Sequence, residues 1–102
     1  MTAGDTARVE RDLRASLELD SENVVALDAM SRHLAAEHRY FDARAFSQRR
    51  LAAAPATAAA LQLAVQIETA LGDTGAADRY QRRLLSEFPP ASNLQPREAS
   101  PP

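Results

Sequence analysis

The chain has no cysteine, no tryptophan and no lysine, and only three glycines among its 102 residues. Each absence removes a class of function. Without cysteine there is no disulfide framework, no thiolate nucleophile and no cysteine-based metal site. Gly4, Gly72 and Gly75 are too few and too scattered to build a phosphate-cradling loop. The longest apolar stretch, over residues 56–65, is alanine-rich and interrupted by Thr57 and Gln62, so no direct membrane insertion is expected. A net charge of −2 leaves no electrostatic footprint for nucleic acid or anionic lipid. All twelve basic residues are arginine, a bias read as codon usage of a GC-rich genome and not as a functional signal. The first residues carry neither a basic region nor an apolar stretch, so no secretory signal is read there, and the sequence taken alone points to the cytoplasm.

What the chain does have is a self-match at a spacing of 34 residues. Phe46 falls on Tyr80, Arg49 on Arg83, Leu51 on Leu85 and Pro55 on Pro89, while Ala43 and Ala77 stand three residues before the two aromatics. One step further back places Val9 under Ala43, Leu17 under Leu51, and Ser21 where the proline would be. Self-similarity at this fixed period is the signature of an array of helical hairpins. Such an array suits a foldable stretch of roughly 86 residues, because each hairpin buries its apolar face on its neighbours instead of filling one large core.

Apolar residues recur at helical spacing in five segments, and no segment alternates as a strand would. The first, residues 6–19, sets Val9, Leu13 and Leu17 against a wet face of Arg8, Glu10, Arg11, Asp12, Arg14 and Glu18, with Asp5 or Thr6 as its cap. Ser21 suits the start of the second, which runs to about residue 37 with Leu27, Met30 and Leu34 inward. The third, residues 40–53, carries Phe41, Ala45, Phe46 and Leu51, with Asp42 in the first turn where the helix dipole favours it. Thr57 to Leu71 form a broadly apolar fourth helix containing Leu61, Leu63, Val65 and Ile67; Gly72 ends it and Asp73-Thr74 restart the chain. The fifth places Ala77, Tyr80, Leu84, Leu85 and Phe88 inward until Pro89-Pro90 stop it. The predicted fold is therefore all-α, about five helices in antiparallel hairpins. It divides into a flexible start (1–5), an unpaired helix (6–20), two hairpins (21–55 and 56–89) and a disordered Pro-rich tail (90–102), whose composition gives it little to bury.

The period, the paired helices and the order small residue, aromatic, proline resemble the tetratricopeptide repeat over residues 7–89. Ala43 and Ala77, with Val9 as a bulkier equivalent, match the family's small residue on the second helix, Phe46 and Tyr80 its large residue, and Pro55 and Pro89 its closing proline. The first helices depart from the pattern: Leu27 and Leu61 stand where an aromatic is common, and Ser31 and Val65 where glycine is. The resemblance implies a short right-handed solenoid in which the first helices of the hairpins line a concave groove for a protein or peptide.

Counted from the core residues Leu27, Met30, Leu61 and Val65, that groove holds Asp28, Arg32 and Ala35 on the second helix and Gln62, Gln66 and Thr69 on the fourth. Arg32 suits a partner carboxylate, and the glutamines suit the backbone of an extended peptide. By the repeat register Glu68 is half-buried between hairpins, where an arginine is its natural partner.

The last hairpin, from Ala60 through the Ala70-Leu71-Gly72-Asp73 turn to Tyr80 and Phe88-Pro89, is similar to the end of the tetratricopeptide pilotin of type IV pilus biogenesis. That family consists of outer-membrane lipoproteins that assist secretin assembly. The resemblance implies a secretin or pilus component as partner and, for a fragment of such a protein, a periplasmic, outer-membrane-associated site. The family's lipidated cysteine has no counterpart here. The alternatives are a cytoplasmic adaptor or scaffold, or the recognition segment of a larger enzyme.

No catalytic chemistry is legible. His33 and His38 are five apart, on different faces, and read as surface histidines and not as a metal pair. Ser31, Ser47 and Ser86 have no recognisable histidine and acid companions. The clusters Arg49-Arg50 and Arg79, Arg82 and Arg83 interleave with acids and read as a solvated face. No enzyme, metal or cofactor is expected. The stripe Val9, Leu13 and Leu17, with no hairpin ahead of it, reads as open to a neighbour, a missing repeat or a self-partner.

Overall fold

Apolar spacing of three and four residues, bounded by capping residues, specifies α-helix, and the computed structural model shows five of them over the residues it describes, 3–90. They are α1 (Ala3–Leu19), α2 (Val24–Ala36), α3 (Tyr40–Ala53), α4 (Ala58–Ala70) and α5 (Thr74–Glu87). Among the described residues there is no strand. Each helix packs on its sequence neighbours, and α2 also touches α4. With connections this short, neighbouring helices run antiparallel, so α2–α3 and α4–α5 are hairpins and α1 lies against the first of them.

The helix ends follow local chemistry. Asn23, Thr57 and Asp73 each accept a hydrogen bond from the backbone N–H three residues on, capping α2, α4 and α5. Ser21, the residue that sequence reasoning favours for the start of α2, lies two residues too early. Of the expected flexible start, residues 1–2 lie outside the described residues and α1 already begins at Ala3, so Asp5 stands inside its first turn. Helices α2 and α4 end alike, 34 residues apart. In each, the residue after the cap is left-handed, His38 at φ 61° and Gly72 at φ 78°. Behind them, Arg39 N–H donates to Leu34 O and His38 N–H to Ala35 O, as Asp73 does to Glu68 O and Gly72 to Thr69 O. This paired closure satisfies carbonyls that a helix end leaves orphaned.

The core runs along the α2–α4 axis. Leu27, Met30, Leu34, Leu61 and Ile67 are fully buried, each burial worth about 1.5–3 kcal/mol. Ala43 is also completely covered, letting α3 approach closely. Leu17 is buried and Leu13 packs on the same cluster, so the α1 stripe faces inward onto α2. Leu85 and Phe88, expected inward, are exposed, Leu85 at 49%, and of the apolar residues on α3 Phe41 is 75% exposed and Ala45 is also exposed. Phe41 lies in the first turn of α3, and no further hairpin among the described residues covers α5. The expected disordered tail lies outside the described residues from 91 onward.

Candidate functional site

The six groove candidates separate into two kinds. Arg32, Gln62, Gln66 and Thr69 are exposed on α2 and α4, and none of their side chains has a polar partner among the described residues. Arg32 and Gln66 occupy equivalent places in the 34-residue register. Arg32 also lines an open groove of ≈ 540 Å³ with Thr6, Ala29, His33, Ala36 and Glu37.

The other two are corrections. Ala35 is buried, because its position in the last turn of α2 turns it onto the core cluster. Asp28 is half-buried and is taken by α3: its Oδ1 lies 3.0 Å from Arg50 Nε, an ion pair by distance although the N–H is not aimed at that oxygen. Arg50 itself is buried and not part of a solvated face; its Nη1 and Nη2 donate to Ala54 O (3.3 Å) and Pro55 O (3.2 Å), closing the end of α3. Its neighbour Arg49 remains on the surface, donating to Ser21 O and lying 5.1 Å over the Phe46 ring.

A cluster at the α1–α2–α3 junction corresponds to no motif in the sequence. Glu10 on α1 accepts from Arg14 (3.0 Å) and from Arg39 (2.6 Å), and Arg39 also reaches Glu37 (3.2 Å) and Asp42 (3.4 Å). The hydrogen bond from Arg39, ahead of the contribution of Arg14, holds the Glu10 carboxyl down at about 2. The same contacts raise the Arg39 guanidinium further above its ordinary value. His33 is not a surface histidine. Its Nε2 is buried without a hydrogen-bond partner, 3.5 Å from Glu10 and 3.6 Å from Glu37.

Ligand atoms of Glu10, His33 and Glu37 lie within 4.8 Å of one another, close enough to share a metal. The Arg39 guanidinium already sits among these carboxylates and neutralises them, and Arg14 adds a second positive charge beside Glu10. The geometry makes a clamp between helices and not an open cation site.

A second clamp joins the hairpins. Glu68, only 3% exposed, accepts from Arg44 Nε (3.1 Å) and Nη2 (2.5 Å), and Arg44 lies 3.5 Å from Asp73. The expected pairing of Glu68 with an arginine is therefore present, and the residue is more deeply buried than the half-buried place expected. The Glu68 hydrogen bond raises the Arg44 guanidinium above its ordinary value.

The two clamps are register mates. Glu10 and Arg44 are 34 apart, as are Arg39 and Asp73, and the charges are exchanged between them. Projecting charges as well as apolar residues onto the repeat would have revealed this. No family model, curated protein or solved structure matches this chain. No helix among the described residues is long and apolar enough to cross a membrane.

Proposed function

We propose that the protein is a non-catalytic protein-binding module of the tetratricopeptide kind, which takes an extended, carboxylate-bearing peptide across α2 and α4. The observation that carries this reading is that the side chains of Arg32, Gln62, Gln66 and Thr69 stand exposed and without polar partners among the described residues, on two helices that touch, while most other charges there are paired. A free guanidinium favours a carboxylate, and unpaired carboxamides favour a peptide backbone. The similarity of the last hairpin to type IV pilus pilotins supports the narrower proposal that the partner belongs to secretin or pilus assembly. Capture of partners from a lysate, identified by mass spectrometry, tests both levels. Arg32→Ala and Gln66→Ala should each weaken capture of the same protein while the circular dichroism spectrum stays unchanged. Equal capture by wild type and both variants would remove the groove assignment.

A further inference from the structure

The two ends of the stack differ. Helices α1 and α5 share a pattern at twice the repeat period: Thr6 and Thr74, Glu10 and Asp78, Arg11 and Arg79, Arg14 and Arg82, Leu17 and Leu85. Even the local ion pairs correspond, Glu10 with Arg14 at 3.0 Å and Asp78 with Arg82 at 2.6 Å. On α1 this face is occupied. Glu10 holds Arg39 from the turn of the following hairpin, and Leu17 is 7% exposed beneath it. On α3 the equivalent face is occupied with the charges reversed, Arg44 holding Asp73. On α5 no other helix among the described residues covers it: the Asp78 side chain is 54% exposed, Leu85 is 49% exposed, and Gln81 between them is exposed.

The outer-helix charge thus selects the charge of the turn that docks on it. An acid takes an arginine, and an arginine takes an acid. We infer that the face of α5 formed by Asp78, Gln81 and Leu85 is a docking site for a helical hairpin whose inter-helix turn carries an arginine, held by Asp78 as Glu10 holds Arg39. A second copy of this chain is a poor occupant, since its own arginine-bearing hairpin is already covered by its α1, and freeing it would uncover Leu17. Like-charged turns are rejected by repulsion from Asp78, which makes the face selective and not merely adhesive. This docking face is separate from the groove on α2 and α4.

The test uses the full chain as its own probe. A tandem protein of residues 1–89 followed directly by 22–102 keeps the register and brings the Arg39 turn of the second copy onto the α5 of the first. The expected result is a single cooperative unfolding transition with a midpoint above that of the natural chain. Asp78→Arg in the first copy should abolish the gain, and Arg39→Asp in the second copy should restore it in that background. Separate transitions at the natural midpoint, or a gain indifferent to Asp78→Arg, would overturn the inference. So would either of two results on the natural chain. A dimer in sedimentation equilibrium that Asp78→Arg dissociates would assign the face to a second copy. A fall in midpoint on truncation after Pro90, matched by Asp78→Arg, would assign it to residues 91–102.

Discussion

Removing Arg44 probes the junction between the hairpins directly. Glu68 is buried in the last turn of α4, at the negative end of the helix dipole, so its carboxylate has a poor environment apart from Arg44. Asp73, the other acid near Arg44, is already engaged as the cap of α5. Breaking a buried pair from one side costs about 3–5 kcal/mol, because the remaining charge stays desolvated and alone. Here the Arg44 side chain is 28% exposed, so water reaches the truncated site and the loss falls to the low end of that range or just below it. Arg44→Ala should therefore cost about 2–3 kcal/mol, against a total stability of roughly 4–13 kcal/mol for a fold of this length. The thermal midpoint should fall by roughly 10–20 °C. Urea titration followed by circular dichroism measures it, with an unchanged m-value showing that the unfolded surface is the same. Replacing both partners, Arg44→Met with Glu68→Leu, should recover most of the loss, since an apolar pair of similar volume satisfies the same space. An Arg44→Ala protein within about 0.5 kcal/mol of wild type, or a double variant no better than the single one, would refute the clamp.

Glu10 makes stability depend on pH. Its carboxyl is held at about 2 in the fold against 4.5 unfolded, so its contribution is complete above pH 4.5 and is lost as pH falls toward 2. The stability difference between wild type and Glu10→Gln should shrink over that window, and a constant difference would show that the Arg39 contact is not what it titrates. Gly72 sits at φ 78° with open space around the position a β-carbon would take, so Gly72→Ala should cost about 1 kcal/mol through the backbone alone. Gly72→Asn should cost less, because asparagine tolerates this conformation, and equal losses by calorimetry would point to a steric cause instead.

Much of the architecture was legible because it is periodic and local. The 34-residue match set the number of helices and their pairing, and α2 to α5 lie within one or two residues of their expected spans. Thr57 and Asp73 cap where capping chemistry places them, and Gly72 breaks α4 where a left-handed residue is required. His38 shows the limit of that logic: a histidine takes the same left-handed position because the closure around Leu34 and Ala35 demands it. Of the six positions chosen by helical spacing, Arg32, Gln62, Gln66 and Thr69 are exposed in the structure. Helical spacing identified a face, but not that Asp28 near one edge of it was claimed by Arg50 from the next helix, or that Ala35 at the other edge turned onto the core.

By itself, then, the sequence determined an all-α chain of helical hairpins, its period, and where most helices begin and end. These depend on interactions between residues a few positions apart, which the linear order of the chain displays. Tertiary structure alone decided that Arg50 is buried, that His33 lies between Glu10 and Glu37, that Phe41 and Leu85 remain in solvent, and that the two clamps carry opposite charge order. Those outcomes depend on which helix lies against which face, and residues 23 to 29 positions apart, such as Glu10 with His33 or with Arg39, meet only once the helices have stacked.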